Sequence, residues 1–573
     1  MQSPQRDEWI AADQKALNVI LAAPGNKLVP VTVPQAAGLP IAPTVTTRVI
    51  KTDKSNGRLD KFSSRHAYDN ARCARADEAA GIVQHEVTTS SVSDDIVINV
   101  ILAQAALEDR ELTKLDIGGA YSKVSRRGQN GPALVRHMAL PVSLPVCDED
   151  GTPMCIELGG SWIWGEAPSG RALQDDVIET LVADGWRPAE NVPCLFTMQL
   201  PCGAQASVST IVDDFLCSES KGSNVLSNRL HQLLEKHYGK HDGSVGDIKI
   251  EREPTYFAGR AIQRDRERGA LTQSMPRQVL SAAAEFLPEG AEGMTAKELE
   301  LPKGKKLRDM ADKMQMPPAS ERAGKVPKHH STVRSITGTL KFVEKVMPAI
   351  SLITHRLSCV NAYPPPEAVV VAKAALHYAL QHREEGITYG GRGLNTTRRM
   401  GANLATTFKL DGGASIDLEA TADATWSDPL LISLLVTMNG ASLLHVVKKV
   451  QLLIDSSTEM EAIATAKAGE IVAFVREILR ALGIPCNGPT FVGTDNKANA
   501  YVASGVGTSS RLKHCMRRYY SFLQRKARGE VEIGHVPDPE NPSDFLTKWV
   551  GQVKFERSLA FATNSANRVA RKD

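Results

Sequence analysis

The residues best suited to chemistry in this 573-residue chain are aspartates set among apolar neighbours. Val212-Asp213-Asp214 sits in the run from Ile211 to Leu216, where adjacent carboxylates are costly unless a cation compensates them. Asp-Asp also occurs at 94–95 and 175–176, but only the pair at 213–214 has large apolar residues on both sides. The plainer alternative for that pair is a hairpin turn whose acids face water. Upstream, Lys114-Leu115-Asp116-Ile117-Gly118-Gly119-Ala120-Tyr121 puts an acid at a strand end and brings in an aromatic shortly after it. Two-metal phosphoryl transfer needs carboxylates from separate strands converging on divalent ions roughly 3.5–4 Å apart. Asp116 with Asp213 and Asp214 would supply them.

A second set of acids occupies the carboxyl-terminal third: Asp423 in TADATW, Glu459 in SSTEMEAIA, Asp495 in GTDNKANA and Asp544 in NPSDFLTK. Asp423 and Asp495 follow strand-like segments. Glu459 opens a helix with apolar periodicity that runs to Gly483 and Pro485. Magnesium-dependent hydrolysis of a phosphodiester uses such a set to hold the scissile phosphate and the attacking water. Ser456-Ser457-Thr458-Glu459 is also a capping box, in which the acid serves the helix end, so Glu461 stands as second candidate.

These residues must be positioned by a mixed α+β layout. Spacing predicts a short amphipathic helix from Trp9 to Leu21 that stops at Pro24-Gly25, and a strongly apolar helix over 96–107. A strand, LTKLDIG, carries Asp116. From Cys194 to Leu216 the pattern reads as strand, turn at Pro201-Cys202-Gly203, and strand. Residues 288–330 are rich in Lys, Glu, Pro and Gly and read as a flexible basic linker or insertion. Apolar helices resume from Val333 to about Gln381, and a separate α/β unit starts near Thr406.

Hydrophobic residues at 42%, charged residues at 23% and a mean hydropathy of −0.21 are those of a globular protein, long enough for several domains. A formal charge of +3 is too small to identify a nucleic-acid partner by itself, because only local clustering makes an electrostatic footprint. The densest basic runs are Arg511 to Arg528 and Lys303 to Arg308. Nine cysteines without a C-x-x-C pair argue against a disulfide scaffold or zinc module and fit a reducing, intracellular compartment. No membrane span or signal pattern is expected.

The order of these motifs resembles the copia-type (Ty1/copia) retrotransposon reverse transcriptase with its ribonuclease H domain. EWIAADQKALNVI resembles that family's start, DKSNGRLDKFSSR its fingers hairpin, KLDIGGAY its first catalytic motif and STIVDDFLC its second. GWRPAENVPCLFT resembles the segment before the second motif, and TYFAGRAI, running on to Gln273, the stretch that grips the primer. The most specific match is SSRLKHCMRRYYSFLQRKARGEVEIGHVPDPENPSDFLTK, which resembles the ribonuclease H tail; Ser331 to Tyr389 resembles the connection between the two activities.

That resemblance implies a right-hand polymerase (fingers, palm, thumb) over residues 1–287, a linker over 288–330, a helical connection over 331–400 and an α/β ribonuclease H-like domain over 401–573. Asp116 and Asp213 would bind metal with Asp214 in support, and Asp423, Glu459, Asp495 and Asp544 would form the nuclease set, with two Mg2+ or Mn2+ ions per site. Tyr121 would be the steric gate against a ribose 2′-hydroxyl and Arg65 a triphosphate contact. Arg511, Lys513, His514 and Arg518 would face a nucleic-acid backbone. Partners would be an RNA template, a DNA primer, an RNA–DNA hybrid and deoxynucleoside triphosphates, in a cytoplasmic, particle-associated setting with nuclear entry.

The chain departs from the family in three places. Trp164-Gly165-Glu166-Ala167-Pro168-Ser169-Gly170-Arg171-Ala172 stands where a Lys-Gln-Ala-Pro-Arg stretch is expected, and Ser63 stands where a lysine precedes Arg65. Lys240 is offset by one residue from the late-motif lysine. Two other readings follow: a catalytically inactive or domesticated nucleic-acid binder, and a metal-dependent phosphohydrolase using only the carboxyl-terminal acids.

Overall fold

The computed structural model describes residues 5–23, 25–52, 59–69, 91–125, 135–166, 169–239, 248–287, 304–322, 326–391, 406–409, 415–505 and 516–569. They divide into two compact units, the first formed by residues up to 93, 113–217 and 224–252, and the second by 94–112, 218–223 and 253 onward.

The first unit opens with the helix Arg6–Leu21, which packs on an antiparallel hairpin of strands Thr44–Thr52 and Leu59–Tyr68. Asp13, wholly buried on that helix, is held by Arg48 of the hairpin at 2.5 Å. The main sheet of this unit has six strands in the order Ile248–Arg252, Glu111–Ile117, Asp214–Glu219, Gln205–Ile211, Leu195–Gln199, Arg187–Pro188. Helix Val225–Tyr238 buries Leu226, Leu230, Leu234 and Tyr238, and helix Ser169–Ala183 buries Leu173, Val177 and Leu181. This i, i+4 spacing is the apolar stripe that lets each helix join the core formed with Leu115 and Ile117 of the sheet. Because strand side chains alternate, Lys114 and Asp116 stand on the opposite face from Leu115 and Ile117.

In the second unit, helix Asp95–Leu107 is buried at every position from Ile96 to Ala106, as its all-round apolar sequence requires. An antiparallel sheet of Tyr256–Phe257, Arg260–Asp265, Ala270–Ser274 and Ile387–Gly390 is accompanied by helices Pro276–Phe286, His330–Val343, Ser351–Val360 and Glu367–Gln381, whose apolar faces share one core. A mixed five-stranded path follows: Ser415–Thr425, Leu431–Met438 and Ala441–Lys449 form an antiparallel meander, while Thr490–Thr494 runs parallel to the first strand and Val531–His535 parallel to Thr490–Thr494. The 25-residue helix Ser457–Ala481 packs across this sheet.

The α+β class and the expected helices and strands are present, with three corrections. The expected linker contains the helix Lys305–Lys313, whose Leu307 and Ala311 are buried in the shared core; two apolar side chains four residues apart suffice to dock it despite its charge. The compact units do not part at residue 287, because Ala270–Ser274 is hydrogen-bonded along its length to Ile387–Gly390. The strand expected to run to Leu216 ends at Ile211, and a turn at Val212-Asp213 starts another. Among the described residues no helix is long and apolar enough to cross a membrane, and the described cysteines form no disulfide with one another.

The second unit also contains an ion pair whose guanidinium is buried and whose carboxylate is partly exposed. Asp95 is bonded to Arg260, which is 1% exposed, and lies 2.7 Å from Lys345. Burial pushes the Asp95 carboxyl up, but the charges of Arg260 and Lys345 bring it below its ordinary value. Asp95→Ala is therefore expected to cost about 3 kcal/mol in urea unfolding, since it strands a buried guanidinium. A group held below its unfolded pKa contributes stability above that value and loses it as pH falls further, so the variant's deficit should shrink below about pH 4. An equal deficit at pH 3 and pH 7 would contradict this origin.

Candidate active sites

The first site forms where three strands of the six-stranded sheet lie side by side. Ile117 N–H donates to Asp213 O at 3.0 Å, which sets the Val212-Asp213 turn beside the strand carrying Asp116. Val212 has φ of +57°, a left-handed conformation that a β-branched residue adopts only at a cost. Lys249 faces Asp116 in the antiparallel register, with its Nζ 3.3 Å from the carboxylate, and Lys114 Nζ lies 3.1 Å from Asp214. Burial raises the Asp213 carboxyl, and the charges of Asp214 and Asp116 add to it; burial likewise raises Asp214, partly offset by Lys114. Among the described residues, Asp116, Asp213 and Asp214 are not one of the groups whose carboxylate oxygens all lie within 4.8 Å of one another. Two lysines hold two of the three, Lys249 on Asp116 and Lys114 on Asp214.

Arg65 and Tyr121 line a cavity of about 430 Å³ together with Gly119, Trp164, Val212 and Asp213. The Tyr121 hydroxyl is pushed up by burial and then by the charge of Asp213. Neither Lys114 nor Lys249 was singled out from sequence for chemistry, although the former lies two residues from Asp116 in the same strand and so had to share its face. The other Asp-Asp pairs have structural uses. Asp94 caps its helix through Ile96 N–H, Asp175 pairs with Arg171, and Asp176 accepts from the Tyr238 hydroxyl at 2.6 Å. Gln273 does not reach outward: its side-chain amide donates to Asn99 and to the Tyr389 hydroxyl, each at 2.9 Å, inside the second unit.

The second site lies at the carboxyl ends of two parallel strands. The register Thr421↔Gly493 brings Asp423 and Asp495 to the same edge, and Gly493 is required there because a Cβ would come within 2.6 Å of Val536. The oxygens of Asp423, Glu461 and Asp495 lie within 4.8 Å of one another, as do those of Asp495, Asp538 and Asp544. Glu461 thus takes the place expected of Glu459. Residues two apart on a helix face different directions, and Glu459 turns back to the helix start, accepting from Asp455 N–H at 3.1 Å while its own N–H donates to Ser456 Oγ. Asp538 was not anticipated from sequence; it lies in the Pro-rich loop after the Val531–His535 strand.

Burial, with Asp423 and Asp495 alongside, pushes Glu461 up to about 9, and burial with the charge of Asp423 pushes Asp544 up to about 7. Two lysines offset this charge. Lys548 Nζ lies 3.4 Å from Asp423 and 3.3 Å from Asp544, while Lys554 bonds to Asp544 and lies 3.6 Å from Asp538. Thr547 Oγ1 donates to Asp423. Asp544 Oδ1, fully buried, has no hydrogen-bond partner among the described residues. An oxygen-only set of four or five carboxylates with an orphaned acceptor fits a hard divalent cation such as Mg2+ or Mn2+.

Arg511, Lys513 and His514, expected on a nucleic-acid face, lie outside the described residues, as do Lys240 and the side chain of Arg518. Of the same basic run, Arg517 is exposed on helix Met516–Ala527, and Lys526 is paired with Glu532.

Glu461→Gln should remove the thermal stabilisation expected of Mn2+; without ions it should change the melting temperature little at pH 7, where the buried carboxyl is already protonated, and raise it above about pH 9, where ionised Glu461 would repel Asp423 and Asp495. Glu459→Gln should keep the Mn2+ response and lower stability by about 1 kcal/mol through the helix cap. Calorimetric scans of both variants with and without Mn2+ decide between the two glutamates; loss of the response only in Glu459→Gln would reverse the assignment.

No family model matches this sequence. The retrovirus-related Pol polyproteins from transposons RE2 and RE1 of Arabidopsis thaliana are each 24% identical to it, over 230 and 228 residues that make up 39% of this chain. The match spans only 14% of the length of either relative. Among solved structures, a foamy viral protease-reverse transcriptase in complex with double-stranded DNA aligns with a TM-score of 0.41 at 12% identity, covering 89% of this chain and 67% of that one. A telomerase from Candida albicans aligns with a TM-score of 0.26 at 10% identity, covering 64% and 67%. The motif order and this partial match point the same way: over 39% of its length the chain is similar to retrovirus-related Pol polyproteins of transposons.

Proposed function

We propose that the chain is the polymerase and ribonuclease H part of a copia-like element, copying RNA into DNA and degrading the RNA of the hybrid. The observation that carries this reading is the common cavity of Arg65, Tyr121 and Asp213, three residues drawn from separate motifs, with Asp116 and Asp214 on the adjoining strands. Asp116 and Asp213 would hold divalent ions in the first site, and Asp423, Glu461, Asp495 and Asp544 in the second. Such ions activate the attacking oxygen and neutralise charge on the phosphate. Lys249 and Lys114 screen the aspartates of the first site while leaving them exchangeable, because each contact is a single ion pair near the surface. Tyr121, beside Asp213, presents its ring where a 2′-hydroxyl would have to fit. Arg65 offers a permanently charged, planar group to triphosphate oxygens. In the second site Lys548 and Thr547 hold Asp423 in place, and Lys554 holds Asp544.

The replaced stretch at Trp164 to Ala172 favours as second reading an inactive nucleic-acid binder. Purified protein with Mg2+ or Mn2+ is expected to extend a DNA primer on an RNA template and to cut RNA in a hybrid. Asp213→Asn should abolish extension and spare cleavage, and Asp495→Asn should do the reverse, each by at least about a hundredfold. Hybrid binding with neither activity would establish the second reading instead.

A further inference from the structure

The segment that departs most from the family pattern places an indole in the cavity. Trp164 is 42% exposed, a large apolar surface to leave in water, yet its backbone is tightly fastened. Tyr68 N–H donates to Trp164 O at 3.0 Å. Gly165 follows at φ of +95°, and a Cβ there would come within 2.3 Å of Tyr68 O, so only glycine lets the chain approach this closely. Glu166, 3% exposed, accepts from Ile163 N–H at 2.9 Å and lies 3.8 Å from Arg136, whose guanidinium is 5.5 Å from the Tyr68 ring centre. The loop is thus stitched to the strand Leu59–Tyr68, and that strand carries Arg65. The Arg65 guanidinium lies 5.8 Å from the centre of the Trp164 ring, and both side chains line the cavity with Tyr121 and Asp213.

A buried glutamate, an obligatory glycine and a strand-to-loop hydrogen bond fix an indole that contributes little to the core. We propose that Trp164 is a nucleotide-positioning residue: its indole holds the Arg65 guanidinium toward the triphosphate and gives the nucleoside a flat face to stack on. The assignment rests on reading the cavity as a nucleotide site. A guanidinium over an indole is a cation–π pair, which restricts the arginine without consuming its hydrogen-bond donors. Stacking on an aromatic face tolerates every base, as a templated polymerase requires. The indole also supplies planar contact in the segment where the family carries a polar stretch.

The test uses dGTP and dTTP as probes on the whole chain. Trp164→Ala is expected to raise KM for both nucleotides about tenfold while kcat stays within about threefold, and Trp164→Phe to recover most of the loss. Quenching of intrinsic fluorescence by dGTP should disappear in Trp164→Phe although five of the six tryptophans remain. Unchanged KM in Trp164→Ala, or quenching that survives in Trp164→Phe, overturns the proposal while extension by the wild type leaves the polymerase reading standing. Quenching that depends on Trp164 in a chain that extends no primer supports the nucleotide-positioning role and overturns the polymerase reading. Absence of both refutes the two together.

Discussion

Mutual repulsion among buried carboxylates is the constraint to which the rest of this molecule answers. In each candidate site, acids from different strands or helices are brought to one edge of a sheet, where burial and like charge both oppose ionisation. Such an arrangement survives only with positive charge close by. Lysines provide it here: Lys114 and Lys249 at the first site, Lys548 and Lys554 at the second. The sites differ in how far repulsion wins. The second, closed in by Thr547 and two lysines, keeps oxygens of two overlapping triads of acids within 4.8 Å, whereas at the first, more open, Asp116 and Asp214 each pair with a different lysine.

Backbone geometry does the positioning in both cases. Parallel pairing of Ser415–Thr425 with Thr490–Thr494 places two strand ends together, so acids at matching register positions meet without any side-chain adjustment. At the first site the same role falls to a two-residue turn, held in place by Ile117 N–H and tolerating Val212 at positive φ. Glycine is used where chains must nearly touch: Gly493 beneath Val536, and Gly165 against the Tyr68 carbonyl. Each of these contacts governs where a functional side chain projects.

Motif order in the sequence determined a good deal on its own. The helices at 6–21, 95–107 and 457–481 were legible because their apolar periodicity or their uninterrupted apolar character leaves few alternatives. Asp116, Asp423 and Asp495 could be singled out because each follows or ends an apolar strand pattern, Asp213 because it sits inside an apolar run, and Asp544 through the resemblance of its tail segment. The helix Lys305–Lys313 was not, since its charged majority hides the two residues that dock it.

What only the tertiary structure decided concerns direction and proximity. Glu459 and Glu461 are chemically identical and two residues apart, and only the docking of their helix on the sheet turns the second inward. Asp538, Lys249 and Lys554 carry no local signature, because their ion pairs are made by register and packing, whereas Lys114 and Lys548 lie two and four residues from an acid of their site. Trp164 belongs to the same class: its residue type is visible in the chain, but its place over Arg65 depends on a glycine and a buried glutamate that hold its loop against another strand.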